Sequence, residues 1–214
     1  MNFELPSIYP ITDTRVSGIS HAKQVEKLIA GGATLIQLRE KQAAPAEFYQ
    51  AANEAARVAR NHGVKIIIND RVDIALAVAA DGIHLGQHDL PPTKAREILG
   101  ENAIIGFSTH SLDQALEAVR FPVDYIAIGP AFETNTKSDP DAVTGLAGLR
   151  QVRAAIGDFP LVAIGGIDAS NLRSVFAAGA DSAAVIAAIV SDAAAIEQRM
   201  SRFLESAARN IKHC

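Results

Sequence analysis

Arg39 and Lys41 stand two residues apart where an apolar run, Thr34–Leu38, gives way to polar chain, and Gln37 stands two residues before Arg39. In an extended chain, residues two apart point the same way. Gln37, Arg39 and Lys41 therefore share one face, and Leu38 and Glu40 take the other. Glu40 is turned away from the two cations, which need an anion from elsewhere. A guanidinium fork beside an ammonium point charge grips a diphosphate; a solvated Arg-Glu-Lys run is the plain alternative. Asp70 follows Ile66-Ile67-Ile68-Asn69, and Asp89 lies four residues past the run Gly82–Leu85. One or two carboxylates are the usual protein share of a Mg²⁺ shell at a phosphoryl site, with water and substrate oxygens completing it. Each Asp alone serves equally well as a helix cap.

Further polar clusters follow other apolar runs: Gln87-His88-Asp89, Ser108-Thr109-His110, Thr134-Asn135-Thr136-Lys137 and Gly165-Gly166. A hydroxyl of Ser108 or Thr109 can hold an anion or a ring nitrogen. Lys137 beside Thr134 and Thr136 suits phosphate, and it suits an ordinary exposed loop as well. Gly166 lets a ligand approach the backbone. His84 sits inside an apolar run and reads as a satisfied core histidine, and His88 reads as exposed. Asp13, Asp73 and Asp81 read as caps or surface charges. No adjacent Ser/His/Asp arrangement occurs.

These clusters need elements that bring them together. Eight short runs recur: Ile8–Ile11, Thr34–Leu38, Lys65–Ile68, Gly82–Leu85, Ile104–Phe107, Tyr125–Ile128, Leu161–Ile164 and Ala183–Ile186. They are nearly continuous in apolar residues, the habit of parallel strands covered on both faces. Helical patterns lie between them. Ser20 caps one, with Ala22, Val25, Leu28 and Ile29 on a single face and Gly31-Gly32 past its end. Pro45 starts another, with Phe48, Ala52, Ala55 and Ala59 inward and Gly63 beyond it. Asp192 caps the last, with Ile196, Met200, Phe203 and Leu204 inward. Eight strands in strict alternation with about eight helices favour a closed (β/α)8 barrel over an open doubly wound sheet, and no Gly-x-Gly-x-x-Gly follows the first strand. Every polar cluster then falls on one rim. Gly165-Gly166 and Ile186-Ala187 end the last two strands, where barrels often hold a phosphomonoester on backbone amides. A long connection, 132–143, falls on the same rim. Gly32-Ala33, Ala80-Asp81 and Ala180-Asp181 each precede a strand, a weak internal repeat.

Composition bounds the function. The chain has 214 residues, is 49% hydrophobic and carries a net charge of −4, which suits one domain spanning 1–214 and argues against nucleic-acid binding. Any anion site must be local. Cys214 is the single cysteine, so a thiolate zinc site is excluded and a reducing cytosol fits. The first residues do not read as a signal peptide, and the longest apolar run, Ala183–Val190, is too short to cross a bilayer. A cytoplasmic enzyme without a membrane partner is expected.

Tyr9-Pro10-Ile11-Thr12-Asp13, Gln37–Lys41, Ile67–Arg71, His84–Pro91, Gly106–His110, Gly129–Lys137, Ala163–Ile167 and Val185–Ile189 together resemble the thiamine phosphate synthase family, in order and across nearly the whole chain. Any one stretch is unspecific; the set is not. The resemblance implies a (β/α)8 barrel that joins hydroxymethylpyrimidine diphosphate to thiazole phosphate by dissociative substitution, releasing pyrophosphate. It implies one Mg²⁺ per subunit on Asp70 and Asp89. It implies pyrimidine diphosphate on Gln37, Leu38, Arg39, Glu40, Lys41, Asn69, Ser108 and Lys137, of which Arg39, Lys41, Ser108 and Lys137 form the catalytic set. Thr134, Asn135, Thr136, Gly166, Ile186 and Ala187 would hold the thiazole phosphate. The loop 132–143 is expected to close over the substrates. Ala187 stands where the family usually has Ser, which removes a side-chain hydrogen bond worth about 1.5–3 kcal/mol to a charged group. Glu133 and Asn135 stand where Pro is common and loosen the loop. A thiazole tautomerase-like relative would need the monophosphate site without the diphosphate clamp. A non-catalytic thiamine-precursor-binding barrel would bind without turnover. An aldolase barrel would want a buried Lys at a strand end, whereas Lys65 begins a strand at the other rim.

Overall fold

A computed structural model describes residues 4–134 and 143–211. Eight parallel strands close into a barrel in sequence order: β1 (Ile8–Thr12), β2 (Leu35–Leu38), β3 (Lys65–Asn69), β4 (Gly82–Leu85), β5 (Ile104–Thr109), β6 (Tyr125–Ile128), β7 (Leu161–Ile164) and β8 (Ser182–Val185). Each is laddered to the next, and β8 returns to β1 with Ile8 opposite Ala183. The helical segments are α1 (Thr14–Ser17), α2 (His21–Ala30), α3 (Pro45–Asn61), α4 (Val72–Ala77), α5 (Pro92–Leu99), α6 (Leu112–Ala118), α7 (Gly145–Ile156), α8 (Leu172–Ala177), α9 (Ala187–Val190) and α10 (Ile196–Ile211). The closed barrel is the architecture expected from the alternation.

Alternation along each strand makes two cores. Ile36, Leu38, Ile66, Ile68, Ile83, Leu85, Ile126 and Ile128 point outward and pack under the helices. Tyr9, Ile11, Leu35, Ile67, Ile104, Tyr125, Ala127, Val162 and Ala184 fill the barrel. Gly106 makes room for Tyr125, since a Cβ there would lie 2.1 Å from the ring. The caps of α2 and α3 follow expectation: Ser20 accepts from the Lys23 amide, and Pro45 opens α3. Asp192 does not cap α10. Its carboxylate accepts from the Ala194 amide and closes the turn before α10, which begins at Ile196.

The weak Ala-Asp repeat has a physical meaning at the end of the barrel where the strands begin. Asp81, Asp124 and Asp181 each precede an even strand and accept from the first or second amide of the odd strand before it. The donors are Ile66 N at 2.8 Å, Ile105 N at 2.7 Å and Leu161 N at 2.8 Å. Asp81 is therefore a strand clip and not a free surface charge. Arg96, in the last turn of α5, reaches the Ala103 and Pro122 carbonyls and pairs with Asp124 at 2.9 Å; Arg153 of α7 does the same for Gly179, Phe159 and Asp181. Asp124→Ala is expected to leave the Ile105 amide unpaired and cost about 1–3 kcal/mol. The urea midpoint should fall while kcat/KM stays unchanged, because this rim is remote from the mouth described next.

Candidate active site

A cavity of about 670 Å³ opens at the mouth where the strands end. Strand geometry delivers its side chains. Gln37, Arg39 and Lys41 continue the inward face of β2 that begins with Leu35, and all three line the cavity. The outward members of this stretch do not. Leu38 is buried under the helices. Glu40 accepts from the Thr14 hydroxyl at 3.0 Å and from the Gln42 and Ala43 amides at 2.9 and 3.3 Å. Neither Leu38 nor Glu40 is among the residues that line the cavity, so the structure does not bring these two to it. Asn69 and Asp70 end β3, and Gly86 to Asp89 follow β4. Ser108 and Thr109 are the last two residues of β5 and not the loop after it, for both stay in the ladder opposite Ala127 and Ile128 of β6.

The charges are arranged in pairs. Arg39 Nη1 donates to Asp13 Oδ2 at 2.5 Å, and the Lys41 ammonium sits on Asp70. The anions missing from the local sequence around Arg39 and Lys41 thus come from the residues directly after β1 and β3. Asp70 has φ +64°, a left-handed conformation that costs a non-glycine residue on the order of 1–3 kcal/mol. Its amide donates to the His84 carbonyl at 2.9 Å, which pins that turn against β4. Asp89 Oδ2 accepts from the Gly86 amide at 2.7 Å. Burial pushes the Asp89 carboxyl above the usual carboxylate range against the pull of that amide. The Asp70 carboxylate, close enough to hydrogen-bond it, pushes the same way, and Lys41 opposes both.

Two converging carboxylates with one half-exposed Lys beside them suit a hard divalent cation. Among the described residues no group of three or more His, Cys, Asp or Glu side chains is placed to hold a metal. The pair therefore fits Mg²⁺, which retains water and substrate oxygens, and not a closed protein cage. Asn69 adds a donor. It is 7% exposed, it lines the cavity, and among the described residues its Nδ2 has no hydrogen-bond partner. A buried unpaired amide is costly unless a ligand satisfies it.

Behind the clamp lies His21. Its Nδ1 is 2.7 Å from Thr12 Oγ1, and its Nε2 faces Glu40 at 3.6 Å without a hydrogen bond. Burial holds the imidazole below its ordinary value, with Glu40 and Asp13 opposing. Between 6.5 and that lowered value, the unfolded chain takes a proton that the folded chain refuses. Stability therefore falls as pH drops through this window. The urea-unfolding free energy of His21→Gln should lose less over the same window than that of the wild type.

The opposite wall is built for close approach. Gly165 and Gly166 have φ +101° and +64°, and a Cβ on Gly166 would lie 2.4 Å from the Glu133 carbonyl oxygen. Asn171 Nδ2 holds the Gly166 carbonyl at 2.9 Å. Thr134, Ile186, Ala187 and Ala188 line the same side. Asn135, Thr136 and Lys137 lie outside the described residues, as does most of the loop 132–143.

The family model described as thiamine monophosphate synthase matches residues 8–189. This chain belongs to the thiamine monophosphate synthase family. A thiamine-phosphate synthase of Chloroflexus aurantiacus is 47% identical over 184 residues, covering 86% of this chain and 84% of that protein. One from Clostridium novyi is also 47% identical over 184 residues, covering 86% and 90%. The solved thiamine phosphate pyrophosphorylase of Pyrococcus furiosus superposes with a TM-score of 0.85 at 36% identity, covering 96% of each chain.

Within this family member, three lining or supporting residues carry more than their sequence context suggested. Asp13 does cap α1, accepting from the Arg15 and Val16 amides, and it also pairs with Arg39. Its place directly after β1 was the available signal. His84 is satisfied, as a core histidine should be, yet it also forms part of the cavity floor. Gln87 lines the mouth and donates to the Ser108 carbonyl at 2.6 Å. No helix of the described residues is long and apolar enough to cross a membrane.

Proposed function

We propose that the chain is a thiamine-phosphate synthase that joins hydroxymethylpyrimidine diphosphate to thiazole phosphate, releasing pyrophosphate. The observation that carries this reading is the Arg39, Lys41 and Asn69 donor set facing the same cavity as the Asp70–Asp89 pair. A thiazole tautomerase would have no use for so much diphosphate-directed charge, and a pure sensor would have no use for a metal-type pair. In this reading the bond from the pyrimidinyl methylene carbon to diphosphate oxygen breaks first, and its electron pair leaves with the oxygen. The electron-rich aminopyrimidine stabilises the methylene cation, and the thiazole nitrogen then supplies the pair for the new C–N bond. The protein needs no covalent nucleophile.

Arg39, Lys41 and Asn69 bind the diphosphate and hold it as charge builds, where a well-placed donor is worth about 3–4 kcal/mol. Asp70 and Asp89 would hold Mg²⁺, which supplies additional positive charge to the departing diphosphate. Ser108 would orient the pyrimidine substrate. The Gly165-Gly166 wall, Thr134 and residues 186–188 would hold the thiazole phosphate against the reacting carbon, which makes capture by the nitrogen faster than capture by water. Asn135, Thr136 and Lys137 join these sets through the family resemblance alone. Both substrates are small phosphates, and the reading is of a cytoplasmic enzyme. A pyrophosphate-release assay with both substrates and Mg²⁺, omitting each in turn, tests it. Release should require all three. Release without the thiazole phosphate, or none under any condition, would overturn the proposal.

A further inference from the structure

A chain of hydrogen bonds crosses the barrel under the cavity, from β2 to β5. Gln37 Nε2 donates to Tyr9 Oη at 3.1 Å, Tyr9 Oη meets Tyr125 Oη at 3.0 Å, and Tyr125 Oη meets His84 Nδ1 at 3.0 Å. His84 Nε2 then meets Ser108 Oγ at 2.8 Å. Both phenols are buried, their rings stand edge to face at 5.9 Å, and the imidazole stacks on Tyr125 at 5.6 Å. Burial raises both phenols well above their ordinary range, so each keeps its proton and has one to give.

The direction of the chain follows from counting those protons. Among the described residues, the Tyr9 hydroxyl has two partners, the Gln37 amide and Tyr125. The amide nitrogen only donates. The Tyr9 proton must therefore go to the Tyr125 oxygen, or remain buried without an acceptor. With that lone pair taken, the acceptor next along the chain for the Tyr125 proton, among the described residues, is Nδ1 of His84, 3.0 Å away. A ring nitrogen that accepts carries no proton, so the neutral imidazole holds its hydrogen on Nε2 and donates to Ser108 Oγ. Among the described residues, the Ser108 hydroxyl hydrogen is then left to point into the cavity that Ser108 lines.

We propose that Tyr9, Tyr125 and His84 are positioning residues, a one-way hydrogen-bond wire that starts at the Gln37 amide and fixes Ser108 as a donor toward an acceptor atom of the bound substrate. Gln37 and Ser108, on opposite sides of the cavity, are coupled through its floor. The wire also accounts for Gly106, whose missing Cβ admits the Tyr125 ring. Its link to turnover rests on the proposed contact of Ser108 with the pyrimidine diphosphate; its direction does not.

Two measurements test the proposal separately. Neutron diffraction from the deuterated wild-type protein near neutral pH should show deuterium on His84 Nε2, none on Nδ1, and the Tyr9 deuteron on the line to Tyr125. Deuterium on Nδ1, alone or together with Nε2, overturns the direction whatever Ser108 does. In kinetics, Tyr125→Phe should lower kcat/KM for the pyrimidine diphosphate about fivefold, the size of one misdirected neutral hydrogen bond. In a Ser108→Ala background the same change should cost less than about twofold, because the wire acts through that hydroxyl. Equal losses in the two backgrounds overturn the link to Ser108. An unchanged kcat/KM in Ser108→Ala itself overturns the assignment of Ser108 to the substrate.

Discussion

Asp89→Asn should lower kcat/KM for the pyrimidine diphosphate by about 10²–10³-fold, the scale of losing one preorganised charge contact in a transition state. It should also raise the Mg²⁺ concentration needed for half-activation at least about tenfold. The substitution is chosen for its shape. The Asn oxygen can keep the bond from the Gly86 amide, so the turn Gly86–Asp89 is retained and the charge alone is lost. The same variant should be no less stable than the wild type in the absence of metal. Burial and the neighbouring Asp70 carboxylate both disfavour the ionised form of Asp89, which raises its folded-state value. A group shifted that way weakens the fold above its folded-state value and strengthens it as pH falls. A neutral amide removes that burden. The expected pattern is thus a large functional loss with an equal or higher urea midpoint in EDTA. That combination is the mark of a residue held in an unfavourable place for function. An unchanged Mg²⁺ titration curve would remove Asp89 from the metal site.

The parts of this site that were legible in the sequence are those with a local period. Gln37, Arg39 and Lys41 share a face because a strand repeats every two residues, and that period holds through Lys41 although β2 ends at Leu38. The barrel was legible because eight apolar runs alternate with eight helical intervals. That count favours closure over an open sheet, and β8 does pair with β1. What was not legible depends on contacts across the barrel. The partner of Arg39 is 26 residues away, just past another strand, and nothing in the local pattern around Asp13 separates a helix cap from a cap that also holds a guanidinium. Asp81 looked like a surface charge because its partner, the Ile66 amide, lies on the neighbouring strand. His84 sits in an apolar run because half of a barrel strand faces the helices. The other half faces inward, and near the mouth inward means toward the ligand. Ser108 and Thr109 fall past the apolar run Ile104–Phe107 because polar side chains usually end a strand, whereas at a barrel mouth they can stay in the ladder and line the cavity. In each case the missing information is which strand lies beside which, and at what height.

Arg39→Ala is expected to lower kcat/KM for the pyrimidine diphosphate by about 10²–10³-fold, with KM for the thiazole phosphate nearly unchanged. The size of the effect comes from how Arg39 is held. Its side chain is 15% exposed, with one arm of the guanidinium on Asp13, which is itself 7% exposed. That leaves the other donors of a planar fork aimed by a partner that is fixed in turn by two α1 amides, at 3.0 and 3.2 Å. An ion pair so placed contributes orientation more than net stability, because both charges had to leave water. Removing one partner is a different matter. Asp13→Ala strands the guanidinium and uncaps α1, and it should destabilise the fold by about 3–5 kcal/mol. Asp13→Asn retains a capping oxygen and loses the charge. It should therefore fold, yet it should bind the pyrimidine diphosphate less tightly because Arg39 is no longer aimed. Arg39→Lys restores a charge without the fork, and it should recover only part of what Arg39→Ala loses, since a single ammonium cannot serve Asp13 and two phosphate oxygens together. Steady-state kinetics on the four variants, with urea unfolding alongside, would separate aim from charge. Wild-type kinetics in Arg39→Ala would take the guanidinium out of the site and leave Asp13 a helix cap alone.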